Sequence, residues 1–415
     1  MGIADKINKE RLREHFEDLA KIGYISEKEG NIRLPLTPAE RAAAELVKGY
    51  MESAGLETRY DQFGNLFGLL PGSDPEAKKV MSGSHIDTVI NGGRFDGTVG
   101  TLSAIEALQT IKENGIPHKH TIEACVFLSE ESARFGGGTL GSQAYIGRFK
   151  RSDLDRLKDK DGVTIAQALA ENGFDPDKIE SVKGDPSKIK CFVELHIEQS
   201  IILEESGIPI GVVDQIAAPT NLRLTIKGRA GHAGATPMWL RRDPFAAAAE
   251  IVLEVERIAQ TIGKETVGTV GEVYVKPNAI NVIPGEVVLG LDIRDVTYDR
   301  KQAAVKHVLD FAQEVAARRH VTIDVDMIVD LAPEKTNKDI VSLISATCDK
   351  LGINHMNITS GAYHDALNMA AITDIGMIFV PSIKGISHAP EEFTPFDDIF
   401  RGAQVLAEVL AELAK

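Results

Sequence analysis

The sequence predicts an α/β protein with a mostly parallel central sheet and a smaller α+β domain inserted into it. Three observations carry this reading. Short continuous apolar runs alternate with helical stretches, as expected of strands buried on both faces of a parallel sheet. Between roughly residues 215 and 330 the pattern changes to strands and long amphipathic helices in the order β-α-β-β-α-β, that of a ferredoxin-like sandwich. After that stretch the first style returns, in "IGMIFVPSIKGISH".

The elements follow in order. "LTPAERAAAELVKGYMESAG" reads as a helix with Thr37 as N-cap, Pro38 at the first helical position, Glu40 completing a capping box and Gly55 ending it. The runs "KKVMSGSH", "TIEACVFLSEE" and "CFVELHIEQ" read as buried strands that end at His85, at Glu130 and Glu131, and at His196; the late run reaches His388. In open α/β sheets, ligands and catalytic groups gather beyond the carboxyl ends of the strands. In the insert, "NLRLTIKG", "TVGTVGEVYV", "GEVVLGLDIR" and "VTIDVDMIV" are predicted strands. "DPFAAAAEIVLEVERIAQTIG", capped by Asp243 with Pro244 following, and "DRKQAAVKHVLDFAQEVAARR" are predicted helices. The expected division is therefore 1–214 and 331–415 for the larger domain and 215–330 for a lid or dimerisation domain.

A length of 415 residues suits two domains, and 43% hydrophobic with 26% charged residues is the composition of a globular protein. The net charge of −15 argues against an electrostatic grip on nucleic acid. The first 23 residues carry charges throughout, unlike a signal peptide, and no apolar run reaches the ~18 residues of a membrane helix. Three scattered cysteines, Cys125, Cys191 and Cys348, fit a reducing compartment, so a cytoplasmic protein is expected.

Of the 11 histidines, His15, His118, His120, His307, His320 and His355 stand among charged or helical residues and are expected to be solvated. His85, His196, His232, His364 and His388 stand beside acids or glycines at the ends of apolar runs. A divalent ion held by imidazole and carboxylate needs such groups to converge from separate strands. His85, Asp96, Glu131, His196 and His388 supply five. With Asp96 bridging, His85 and His196 complete one site and Glu131 and His388 a second, an arrangement able to acidify a shared water. Asp87, two residues from His85, is placed to hold its other ring nitrogen. Glu130 and Glu131 cannot point the same way, so one can ligate while the other accepts a proton.

The ordered motifs "GSHIDTVINGGRFDGTVG", "SEESARFGG", "ELHIEQ", "GHAGATPM", "NAINVIPGEVVLGLDIR", "SGAYHDA" and "GISHAPEEFT" resemble the hydantoinase/carbamoylase family of metal-dependent amidohydrolases, from about residue 35 to the C-terminus. That family includes N-carbamoyl-L-amino acid hydrolases, allantoate amidohydrolases and β-ureidopropionases, and it is related to dinuclear zinc exopeptidases and aminoacylases. The resemblance implies a zinc-exopeptidase-like catalytic domain with two divalent ions per subunit (Zn, Mn, Co or Ni) on the five residues above, and Glu130 as general base. It implies that Arg294 binds the substrate carboxylate, that Asn281 and Gln199 hydrogen-bond the substrate, and that His364 assists. His232 would stabilise the oxyanion across a homodimer, although beside Gly231 and Ala233 it could equally be a turn residue. Arg294 could instead pair with Asp292 or Asp295 on a sheet surface. Trp239, the sole tryptophan, follows "ATPM" and could line the pocket, but is read as a packing residue.

The implied activity is hydrolysis of the ureido C–N bond of a small N-carbamoyl-L-amino acid. Allantoate hydrolysis and N-acyl-amino acid hydrolysis are the alternatives. Two departures stand out: Tyr363 where the family commonly has a small residue before the histidine, and Ser200 where a glycine follows Gln199. Neither removes a proposed ligand or base.

Overall fold

The computed structural model describes residues 2–415. The chain forms two compact units. One comprises the chain up to Asp214 with Thr336–Ile358 and His364–Lys415; the other comprises Gln215–Lys335 with Thr359–Tyr363.

At the centre of the larger unit, four parallel strands lie side by side in the order Asp374–Val380, Ile189–Ile197, Lys79–His85 and Ile122–Phe127. Leu66–Leu70 and then Glu57–Tyr60 extend one side in antiparallel pairing, and Ile210–Ile216 pairs antiparallel on the other. The central strands are almost wholly buried, because helices cover both faces, and this is why they read as unbroken apolar runs. The helix Thr98–Glu113 is buried nearly all round and therefore has no polar stripe. The strand order brings His85, Glu130–Glu131, His196 and His388 to the carboxyl ends of four neighbouring parallel strands, in the position expected for a site.

The helix Pro38–Ser53 starts at Thr37, whose hydroxyl accepts the Glu40 amide, with Pro38 at N1; Gly55 follows its end at φ +72°. Glu40 departs from the expected box. Its carboxylate accepts the Leu36 amide one residue earlier, because the Thr37 amide is already bonded to the Leu34 carbonyl. Among the described residues no helix is long and apolar enough to cross a membrane.

His15 also departs from its expected solvation. Its ring stacks on Tyr50 at 3.7 Å between centroids, and burial pulls its pKa down to about 4. The unfolded chain, with an ordinary histidine near 6.5, binds the proton more tightly than the folded one. Stability from this group is thus present above ~6.5 and is lost as pH falls toward 4. His15→Phe, which keeps the stack, is expected to remove about 1 kcal/mol of that pH dependence once partial exposure is allowed for. Urea midpoints measured between pH 4 and 7 would be flatter in the variant.

The smaller unit is a four-stranded antiparallel sheet ordered Val267–Lys276, Glu286–Asp295, Ala218–Lys227, Thr322–Asp330. Helices Pro244–Ile262 and Tyr298–Arg319 pack against it. Its βαββαβ order and burial alternation along Glu286–Asp295 are those of a half-covered ferredoxin-like sheet. Asp243 caps the first helix by accepting the Phe245 and Ala246 amides. Trp239 does not pack. It is 83% exposed beside exposed Met238 and Leu240, because a short 3-10 turn presents all three outward.

Candidate active site

Asp96 is the hub of the site in the larger unit. One carboxylate oxygen, Oδ1, lies 3.2 Å from His196 Nε2 and 3.5 Å from His85 Nε2; the other, Oδ2, lies 3.2 Å from His388 Nε2. The same His388 nitrogen is 3.2 Å from Glu131 Oε1. The donor atoms thus fall into two groups that share Asp96: His85–Asp96–His196 and Asp96–Glu131–His388. A third convergence, Glu194–His196–His364, lies behind the first.

The donor chemistry fits divalent cations. The Nδ1 atoms of His85 and His196 face main-chain carbonyls of Asp87 and Ile197 at 3.1 and 2.9 Å, so those nitrogens carry the protons. Each Nε2 is then a lone pair facing a carboxylate, an arrangement that only positive charge makes favourable. The Gly97 amide, which donates to His196 Nε2 at 3.2 Å, agrees with this tautomer.

Electrostatics point the same way. Burial opposes ionisation of Asp96, yet its closeness to the His196, His388 and His85 imidazoles carries its pKa well below the ordinary value. Burial opposes protonation of His388, but Asp96 and Glu131 outweigh it and raise the imidazole to about 11. Glu130 is held well above the carboxylate range by burial, opposed by His85 and reinforced by the charges of Glu131, Asp365 and Asp96. Its Oε2 lies 3.7 Å from His85 Nε2, outside the two donor groups but beside the first.

Local backbone geometry sets these positions. Gly97 caps the buried helix Thr98–Glu113 at φ +67°, and a Cβ there would lie 2.4 Å from His85 Nε2. Gly97→Ala is expected to displace the imidazole and weaken metal binding about 10–100-fold, as disturbing a ligand's support commonly does. Competition against a chromophoric chelator would measure it.

Asp87 holds His85 chiefly through its main-chain carbonyl; its carboxylate lies 3.6 Å from the ring nitrogen. That carboxylate instead accepts the amides of Glu130 and Glu131 at 3.1 and 3.0 Å, which fixes the paired glutamates. Gln199, at φ +58°, donates from Nε2 to Asp96 Oδ2 at 2.8 Å. His364 is buried against His196 at 4.4 Å between ring centroids.

Three contributors were missed in the sequence. Ser387 donates its hydroxyl proton to Asp96 Oδ2 at 2.8 Å, and its oxygen lies 3.1 Å from Glu392 Oε2. Glu392 in turn accepts the amides of Phe95 and Asp96, and burial beside Asp96 pushes it up to about 7. Arg33 is wholly buried, donating to the carbonyls of Ile86 and Ile22 while its amide bonds Thr88 Oγ1, so it braces the segment that carries His85 and Asp87. Only the second glutamate of "APEEFT", so close to His388, offered a signal.

The remaining candidates lie on the smaller unit. Arg294 makes a two-point pair with Asp292, at 2.9 and 2.8 Å, and lies over the Tyr363 ring at 5.6 Å. His232 is exposed on a short strand paired with Val282–Ile283, next to Asn281, whose carbonyl accepts the Ala233 amide. His232 Nδ1 accepts the amides of Gly234 and Ala235.

A parallel sheet whose carboxyl ends present two imidazole–carboxylate groups sharing one aspartate, with a further glutamate beside them, has the donor set of a hydrolase that works through divalent ions. The chain belongs to peptidase family M20/M25/M40, whose sequence model matches residues 81–412. It is 41% identical over 409 residues to an N-carbamoyl-L-amino acid amidohydrolase of Geobacillus stearothermophilus, covering 99% of each chain. It is 36% identical over 394 residues to an allantoate amidohydrolase of Escherichia coli, covering 93% of each. A solved amidase of the hydantoinase/carbamoylase family from Burkholderia vietnamiensis superposes with a TM-score of 0.90 at 34% identity, covering 99% of this chain and 98% of that one.

Proposed function

We propose that this protein hydrolyses the ureido C–N bond of N-carbamoyl-L-amino acids, releasing the amino acid, carbon dioxide and ammonia. The observation that carries the reading is the pair of donor groups sharing Asp96 with Glu130 beside them, together with the relatives' names. Two divalent ions per subunit, on His85, Asp96 and His196 and on Asp96, Glu131 and His388, would supply the charge that makes water and the ureido carbonyl reactive at neutral pH.

The chain's own groups do the rest. Glu130 takes a proton from the attacking water and returns it to the departing amino nitrogen. His232 supports a donor role: with Nδ1 accepting two amides, its proton sits on Nε2, as stabilising an oxyanion requires. Asp292 orients the Arg294 guanidinium, whose planar fork would receive the substrate carboxylate. Asn281 hydrogen-bonds the substrate and His364 assists from beside His196. Gln199 is assigned to the substrate with its amide nitrogen anchored on Asp96. His232 acts across a homodimer. Allantoate is the second reading, favoured by the relative at 36% identity.

The test is ammonia release by metal-reconstituted protein from N-carbamoyl-L- and D-amino acids and allantoate, with amine release from N-acetyl-amino acids followed in parallel. Turnover confined to the carbamoyl-L series is the expected result. A marked preference for allantoate would transfer the protein to the second reading, and activity on the N-acetyl set alone would overturn the ureido assignment while leaving the metal site standing.

A further inference from the structure

Behind the loop that carries Asp96, the larger unit contains a cavity of about 220 Å³. It is smaller than the ~300–1,000 Å³ of a drug-sized site, which leaves room for a single-ring molecule. Its walls are aromatic: Phe16 and Phe396 meet edge-on at 6.1 Å, as do Phe95 and Phe393 at 6.0 Å, and Phe16 lies 6.1 Å from Phe95. Arg13 stacks over Phe396 at 4.5 Å and Arg94 over Phe95 at 4.9 Å, so two guanidiniums line an apolar slot in a chain of net charge −15. Among the described residues Glu17 is the only acid on the wall.

Two polar groups there lack partners. Thr394 is fully buried and its hydroxyl has no hydrogen bond; the Arg13 Nε–H is buried and equally unmatched. A buried donor left unpaired costs about 1–3 kcal/mol, and a neutral hydrocarbon in this slot would leave both unpaired. Water alone would wet four phenylalanine faces. An occupant that answers both features has a flat apolar body and an anionic acceptor.

We propose that this cavity is a binding site for a small aryl carboxylate, its ring between the phenylalanines and its carboxylate on Arg13, Arg94 and the Thr394 hydroxyl. The site is distinct from the Asp96 cluster yet tied to it. Phe95 precedes Asp96 in the chain, and Thr394 follows closely on Glu392, whose carboxylate holds the Phe95 and Asp96 amides. An occupant therefore touches both segments that fix the hub carboxylate.

The probe is 3-(4-fluorophenyl)propionate, titrated into the metal-loaded full-length protein and followed by fluorine NMR. Saturable binding is expected, with the dissociation constant raised at least tenfold both in Thr394→Val, which keeps the shape and removes the hydroxyl, and in Arg94→Met, an exposed position whose replacement leaves the fold intact. Absence of saturable binding up to about 10 mM overturns the proposal. So does a dissociation constant unchanged in either variant, which would place the probe elsewhere on the molecule.

Discussion

Glu130→Gln keeps its metal and loses turnover by about 10²–10⁴-fold, the range a positioned general base contributes. Glutamine has the same shape, and the Glu130 amide stays bonded to the Asp87 carboxylate, so the backbone that also orients Glu131 does not move. Neither donor group includes Glu130, so the residues proposed to hold metal lose no member. Only the proton acceptor disappears. The pH profile offers a second check. A base acts when deprotonated, and burial with the charges of Glu131, Asp365 and Asp96 holds the pKa of Glu130, the proposed base, above the ordinary carboxylate range. Activity of the wild type should therefore rise with pH along an acid limb that the variant lacks. Metal content by mass spectrometry beside steady-state kcat decides the matter: a variant that loses an ion identifies Glu130 as a ligand, and one that retains both ions and normal turnover removes it from the chemistry.

What the sequence disclosed followed from burial. Strands covered on both faces are written as unbroken apolar runs, and a polar residue at the end of such a run has few reasons to be there except a site. His85, His196 and the paired glutamates were visible for that reason, and His388 by its place after the last run. The features that escaped are those a linear pattern does not encode. A main-chain carbonyl looks the same in every residue, so the Asp87 carbonyl rather than its carboxylate taking His85 left no trace. Arg33 reads as a surface cation because its partners are carbonyls of Ile86 and Ile22, not an acid at helical spacing. His15 seemed solvated because the Tyr50 ring that covers it arrives from a different helix. Trp239 erred in the opposite sense: hydrophobicity argued for packing, while the turn that carries it points outward.

The sharing of Asp96 should make its replacement the most damaging single change to the proposed metal site. Each oxygen faces a different donor group, so Asp96→Asn offers one carbonyl oxygen and one amide that cannot ligate. Whichever way the amide turns, one group loses its carboxylate and the other keeps a neutral oxygen in place of a charged one. Gln199 and Ser387 bias the choice: both donate to Oδ2 at 2.8 Å, so the carbonyl should turn toward them and the amide toward His85 and His196. Loss of a supporting residue around a metal typically costs 10–100-fold in affinity, and loss of the ligand itself should exceed about 100-fold. Expected, then, are at most one tightly held ion per chain, retained with Glu131 and His388, and a fall in kcat of at least about 10³-fold, since the paired arrangement that acidifies water is gone. Ser387→Ala, which removes only a hydrogen bond to the same oxygen, sets the scale and should stay within the 10–100-fold range. Equilibrium dialysis of both variants against limiting zinc measures the difference. Two ions held by Asp96→Asn as firmly as by the wild type would mean that the two groups do not depend on a common carboxylate.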